Sequence, residues 1–148
     1  MEIYVDKNAG NRHAGAVIYN CYNTGEISVD KNQNSTVGGI IGCVAWKKID
    51  VINCYNVGKL VGKSIGGIIG NGNISSELLN VQNTYFLDTT ATVGMNGLTI
   101  EAESRTEQNL KSLEFINELN ANIDAITDID ISNWKKWQEV ANNYPTFE

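Results

Sequence analysis

Asn20-Cys21-Tyr22-Asn23-Thr24-Gly25 recurs further along the chain as Asn53-Cys54-Tyr55-Asn56-Val57-Gly58. A worn third copy, Asn83-Thr84-Tyr85-Phe86, follows at a similar interval. Between the hexamers, Val37-Gly38-Gly39-Ile40-Ile41-Gly42 recurs as Ile65-Gly66-Gly67-Ile68-Ile69-Gly70. Two unlike motifs alternating at a spacing of about 30 residues indicate repeated structural units.

The unit is too short and too poor in helix formers for a helical pair. Its pieces are Ile49-Asp50-Val51-Ile52-Asn53-Cys54-Tyr55, Lys59-Leu60-Val61 and Ser64-Ile65-Gly66-Gly67-Ile68-Ile69. Each is strand-sized and β-branched, and Gly or Asn follows closely. One such unit cannot bury its apolar face alone, whereas stacked units share a continuous core. The expected fold is mostly β: a short parallel β-solenoid of two to three coils of about 30 residues, with a mixed, partly helical C-terminal cap. In-register stacking would place Tyr22, Tyr55 and Tyr85 in one column, Asn20, Asn53 and Asn83 in a second, and Cys21, Cys54 and Thr84 in a third. The Gly-Gly pairs would let backbone turn sharply or pack where a Cβ would clash.

Composition agrees with this division. Of 148 residues, 20 are Asn, 14 are Gly and only one is Pro, which suits many tight turns. Residues 1–75 hold 12 of the glycines and a net charge of +2, while residues 76–148 carry −8. Solenoid repeats are therefore assigned to residues 1–90 and a capping segment with one short helix to 91–148. The overall charge of −6 argues against nucleic acid, which demands clustered Lys and Arg. No apolar stretch reaches the length of a membrane span, so no membrane insertion is expected. Residues 1–20 lack the pattern of a signal peptide.

The alternation of Val-Gly-Gly-Ile-Ile-Gly with Asn-Cys-Tyr-Asn-Thr-Gly resembles the GLUG-motif repeats of bacterial, largely Gram-positive, cell-surface and adhesin-like proteins. The resemblance covers roughly residues 14–90, and the closing Tyr144-Pro145-Thr146-Phe147 is similar to the end of such arrays. Ala14-Gly15-Ala16-Val17 stands where it would have a Gly-Gly pair. The resemblance implies a repeat module of a longer secreted or cell-surface protein. Its expected role is non-catalytic adhesion to a host glycan or protein. The alternatives are a spacer or stalk presenting another domain, such as a peptidase, and a fragment of a polysaccharide-degrading β-helix enzyme.

In the C-terminal third, Ser104 with Glu107 has capping-box spacing, with Thr106 a competing N-cap. Leu110, Leu113, Ile116 and Leu119 or Phe115 follow at helical spacing, so a helix could lie over the last coil as a lid, with Trp134, Trp137, Tyr144 and Phe147 around it.

Candidate chemistry is sparse. Cys21 and Cys54 are repeat-equivalent and read as small buried apolar groups, with Cys43 left over. The lone His13 marks no nucleophile–base pair. Asp128, Asp130, Ser132 and Glu139 match positions 1, 3, 5 and 12 of a calcium loop, but Asn133 replaces its turn glycine, and Ile129 and Ile131 alternate as in a half-buried strand. Glu26, Asp30, Lys31, Lys59 and Lys63 fall in variable connections without recurring in register, which suits no polysaccharide-cleaving groove. No catalytic, cofactor-binding or metal-binding residue is therefore assigned, and no cofactor. The Asn32-Gln33-Asn34-Ser35-Thr36 connection suits solvated turns or adaptable polar contacts. A truncated N-terminal coil would leave an edge open to self-association.

Overall fold

Each apolar run breaks into two strands at the asparagine that opens the recurring motif. The computed structural model describes residues 2–5, 15–30, 34–127 and 129–147. After β1 (Glu2–Val5), the first repeat contributes β2 (Ala16–Tyr19), β3 (Tyr22–Asn23), β4 (Ile27–Ser28), β5 (Thr36–Gly38) and β6 (Ile41–Ala45). The second contributes β7 (Ile49–Ile52), β8 (Tyr55–Asn56), β9 (Leu60–Val61), β10 (Ser64–Gly66) and β11 (Ile69–Asn73). A short 3-10 turn at Ser76–Leu78 leads to a third repeat with β12 (Leu79–Gln82), β13 (Thr84–Leu87) and β14 (Ala102–Arg105). The protein is thus mostly β, built of short parallel strands in several sheets.

Pairing follows the repeat spacing. Strand β7 lies parallel between β2 and β12, so Ile18, Val51 and Val81 share one row. Strand β8 lies parallel between β3 and β13 and aligns Tyr22, Tyr55 and Tyr85. Pairs β4–β9, β5–β10 and β6–β11 are parallel too, matching Ile27 with Leu60, Gly38 with Gly66 and Ile41 with Ile69. The register places Ala16 opposite Ile49. Gly15-Ala16-Val17 therefore aligns with Lys48-Ile49-Asp50 and is no counterpart of a Gly-Gly pair.

The corners explain why strands this short persist. Asn20, Asn53 and Asn83 have φ of 53°, 55° and 49°, in the left-handed region that costs an ordinary L residue about 1–2 kcal/mol. Asparagine tolerates this conformation best after glycine. Its side chain then adds a bond glycine cannot make: Asn53 Nδ2 donates to Asn20 Oδ1 at 2.8 Å, both residues being buried. The second asparagine of the hexamer builds another ladder. Gly25 N–H and Gly58 N–H donate to Asn23 Oδ1 and Asn56 Oδ1 at 3.1 Å, and Asn23 Nδ2 donates to Asn56 Oδ1 at 2.9 Å. The Tyr22 and Tyr55 rings stack with centroids 5.5 Å apart.

At the Gly-Gly corner, close approach is the constraint. A Cβ on Gly39 would sit 2.2 Å from Asn56 Cγ, and one on Gly67 would sit 2.3 Å from Phe86 Cγ. Phe86 aligns with Asn56, so the same glycine site receives the same register position one repeat on. Behind it, Val44, Val51, Ile68, Ile69, Val81 and Phe86 join Cys21 and Cys54 in one buried cluster.

The two four-stranded sheets run β1-β2-β7-β12 and β14-β13-β8-β3. Strand β1 pairs antiparallel with β2, aligning Glu2 with Tyr19, and so covers the β2 edge, whereas β3 remains the edge of its own sheet. In that second sheet β14 covers β13, and Leu98, Ile100 and Ala102 pack against the core cluster.

Residues 105–148 form a second compact unit. Where the apolar spacing predicts one helix, the chain forms α1 (Glu107–Leu110) and α2 (Leu113–Asp124). Thr106 caps α1 by accepting from Asn109 N–H at 3.3 Å, so the competing cap prevails over Ser104. Ser112 then breaks the helix, accepting from Phe115 N–H at 3.2 Å and donating to the Asn109 carbonyl at 2.7 Å. Leu110, Phe115, Ile116, Leu119 and Ile123 are buried, whereas Leu113, at the first position of α2, is 59% exposed. Strands β15 (Trp137–Gln138) and β16 (Thr146–Phe147) pair antiparallel, with the Trp137 and Phe147 rings 4.1 Å apart. Asn120 clamps this hairpin, donating to the Trp137 carbonyl at 2.9 Å and accepting from its N–H at 2.8 Å.

Replacing Asn53 by Ala should cost about 2–3 kcal/mol, adding left-handed strain to a lost buried hydrogen bond. Asn53→Gly, which keeps the backbone conformation, should cost about 1 kcal/mol less. Urea unfolding at unchanged m value measures both, and equal losses for Ala and Gly would contradict the role given to backbone conformation.

Candidate functional site

The Cys21–Cys54–Thr84 column is the first place to look for chemistry, because it holds two thiols in the core. Its geometry assigns each side chain a structural task. The Cys21 thiol donates to the Tyr19 carbonyl at 3.1 Å, Cys54 to the Ile52 carbonyl at 3.3 Å, and Thr84 Oγ1 to the Gln82 carbonyl at 2.8 Å. The acceptor is always two residues back, next to the left-handed asparagine, and at Ile52 and Gln82 it also accepts the backbone N–H of Asn20 and Asn53 at 3.0 and 3.1 Å. Cys21 N–H also donates to Cys54 Sγ at 3.4 Å. Both thiols are free and buried. Burial pushes the Cys54 thiol well above its ordinary range, and the neighbouring Cys21 thiol adds to the shift. A thiol held this firmly in its neutral form is no nucleophile at neutral pH.

Charged side chains pair across repeats. Glu26 and Lys59 precede the aligned residues Ile27 and Leu60, and they form an ion pair of 3.2 Å. They are therefore register partners, correcting the expectation that the charges of these connections do not recur. Lys63 Nζ donates to Asn34 Oδ1 at 2.9 Å, and Asn80 Nδ2 to Asp50 Oδ1 at 2.9 Å. Exposed ion pairs of this kind contribute under about 1 kcal/mol each. They bias register more than they stabilise.

His13, Lys31, the Asn32-Gln33 pair and Asp128 lie outside the described residues. Of the calcium-loop residues, Asp130 Oδ1 accepts from Ser132 N–H at 2.9 Å, and that backbone bond lowers its carboxyl pKa. Ile129 to Ile131 is a turn region and no strand, with Trp134 N–H donating to the Ile131 carbonyl at 2.9 Å. Glu139 is exposed. No group of three metal-ligating side chains occurs among the described residues.

In the second unit, Glu107, Lys111 and Tyr144 form a small polar set. Lys111 Nζ lies 2.5 Å from Glu107 Oε1 and 4.8 Å from the Tyr144 ring centre. The ammonium holds the Glu107 carboxyl below its usual range and is itself raised by that carboxylate, while burial first and Glu107 second raise the Tyr144 phenol. Arg105 makes two 3.1 Å hydrogen bonds to the Glu118 carboxylate. These pairs fix the unit's own elements.

Open clefts flank the 98–104 strap. One of 390 Å³ lies against Leu79 and Gln82, and two of 490 Å³ lie against Met95 and Phe86 or against Asn83 and Thr84. Their walls carry aliphatic groups, amides, the Phe86 ring, the hydroxyls of Ser76, Thr84, Thr92, Thr99 and Ser104, and the Glu101 and Glu103 carboxylates.

One residue breaks the pattern. Among the described residues, four of the five non-glycine positions with positive φ are asparagines: Asn20, Asn53, Asn83 and Asn142. The fifth is Trp46, at φ 54° and 75% exposed. It sits in the turn between β6 and β7, followed by Lys47 and Lys48. Sequence reasoning passed over Trp46 because nothing in its neighbours announces a left-handed backbone.

Comparison of the chain with protein-family models, curated proteins and solved structures gives no match.

In native protein at pH 8, Ellman's reagent should titrate one thiol per chain, exposed Cys43, with Cys21 and Cys54 appearing on unfolding. Because the Cys54 pKa is raised on folding, its contribution to stability is present below the unfolded thiol value of about 8.5 and falls as pH rises above it. Cys54→Thr, which copies Thr84, should flatten that alkaline loss. Rapid native labelling of Cys54 would contradict the packing.

Proposed function

We propose that residues 1–90 form a short parallel β-solenoid of GLUG-like repeats, followed by a mixed, partly helical capping segment over 91–148. In this reading the chain is a non-catalytic binding module of a secreted or cell-surface bacterial protein. The observation that carries it is the parallel register that sets Tyr22, Tyr55 and Tyr85 opposite one another in successive repeats. Recurrence at a nearly constant interval is what stacked coils require. The recurring Asn20–Asn53, Asn23–Asn56 and Tyr22–Tyr55 pairs are engaged with one another. Selectivity then belongs to the side chains that differ between repeats, on the corners and connections. This is the arrangement of a scaffold that displays contacts.

A spacer or stalk presenting another domain is the alternative.

The test is a binding screen of the whole chain against glycan arrays and host matrix proteins, combined with depolymerisation assays on pectin and hyaluronan. Saturable binding at micromolar concentration or below, without depolymerisation, is the expected outcome. No binding would favour the spacer, and chain cleavage would overturn the non-catalytic reading.

A further inference from the structure

Trp46 is costly where it stands. A left-handed backbone disfavours a tryptophan, and at 75% exposure its ring returns little of that strain through packing. The fold has a cheaper solution and uses it at Asn20, Asn53, Asn83 and Asn142. Departure from a local rule that the rest of the chain obeys marks a side chain kept for something other than folding.

The turn is also held in place. Trp46 N–H donates to the Asn73 carbonyl at 3.4 Å on one side, and the Lys48 carbonyl accepts from Ala16 N–H at 3.0 Å on the other. The Lys48 ammonium lies 3.5 Å from Asp50 Oδ2, and Asp50 Oδ1 is fixed by Asn80. An exposed indole is thus presented on a turn tied to the repeats before and after it, with the lysines Lys47 and Lys48 next in sequence.

We propose that Trp46, Lys47 and Lys48 form the contact point for an acidic polysaccharide: a sugar ring stacks on the indole and its carboxylate or sulfate meets the ammonium groups. This rests on the binding role proposed above and names its ligand. Size favours a glycan over a protein partner. Among the described residues of the first unit, the other exposed large apolar side chains are Leu78, just before the Leu79 that aligns with Ile49, and Val29 and Val93, which lie in other connections. Such a patch matches one or two sugar rings and falls short of the roughly 800 Å² per partner of a standard protein interface. Two lysines on a chain of net charge −6 fall equally short of the many phosphate contacts that hold nucleic acid.

The experiment uses the whole chain with ¹⁵N-labelled tryptophan, titrated with oligosaccharides of hyaluronan, chondroitin sulfate and polygalacturonate, with neutral cello-oligosaccharides and a DNA duplex as comparisons. W46N is the diagnostic variant. It should raise the melting temperature by about 2–4 °C, by relieving the backbone, while weakening acidic-glycan binding about 30-fold. K47Q and K48Q together should weaken binding and flatten its salt dependence. In the wild type, the Trp46 indole N–H should shift on titration while those of Trp134 and Trp137 stay in place. A W46N protein that melts lower would show that the ring serves folding and overturn the proposal. Equal binding by W46N would overturn it too while leaving a binding role elsewhere intact. Tighter binding to DNA or to the neutral glycans would overturn the ligand class, and no binding to any probe would remove the proposal along with the acidic-glycan form of the binding role.

Discussion

The left-handed asparagine between paired strands is the constraint on which the first unit depends. At Asn20, Asn53 and Asn83 the chain changes direction within one residue, so the strands on either side keep a common register with the neighbouring repeat. Glycine would make the same bend but would cost more conformational entropy and offer no side chain. Asparagine accepts the bend and, at Asn20 and Asn53, joins adjacent repeats through buried amides. The carbonyls just before the bend keep a ladder bond, Ile52 accepting from Asn20 N–H at 3.0 Å and Gln82 from Asn53 N–H at 3.1 Å, and each has a second lone pair to fill. Cys21, Cys54 and Thr84 each supply it a donor. Two thiols and a hydroxyl are interchangeable here because the requirement is a small inward side chain bearing one hydrogen, and reactivity has no part in it.

The Gly-Gly corner adds a size rule that the third repeat satisfies differently. Gly39 receives Asn56, and Gly67 receives the larger Phe86. One step further, Gly94 accepts backbone bonds from Ile68 and Ile69 at 2.9 and 3.0 Å, and Met95 bridges to Ile69. Val37-Gly38, Ile65-Gly66 and Val93-Gly94 thus follow one another at equal intervals, although the last has lost its second glycine and an isoleucine. The third repeat is shorter at that corner. The chain then runs as the strap through Leu98, Ile100 and Ala102 across the core cluster.

These details divide what could be read in advance from what could not. The Tyr, Asn and Cys columns were legible because the same residues recur and a parallel register is then nearly forced. The breaks at Asn20 and Asn53 inside apparently continuous runs were not, since a left-handed residue is a backbone property that composition hints at only through Asn. Gly94 escaped notice because two deleted residues hid its motif, and the pairing of Glu26 with Lys59 because the connections around them differ. Ser112 reads as an ordinary helix position until its hydroxyl is seen serving both sides of a break. The charge seam was misplaced for a related reason. Glu77, Asp88, Glu101 and Glu103 belong to the first unit, which carries −2, leaving −4 for residues 105–148.

That redistribution bears on how the first unit meets its surroundings. Its acids concentrate in residues 76–104, in the third repeat and strap, which contain no lysine or arginine. Lys47, Lys48, Lys59 and Lys63 all fall in the first two repeats, where Asp50 and Glu26 are tied to Lys48 and Lys59. The positive excess lies in residues 46–75, four lysines against Asp50, next to the acidic residues 76–104, while residues 1–45 hold three basic and four acidic residues. Such a local contrast acts over a Debye length of about 8 Å. On the reading proposed above, an acidic polymer would be repelled from the strap and drawn toward residues 46–75. The net charge of the whole chain conceals that preference, because a sum over the sequence discards where in the stack each charge sits.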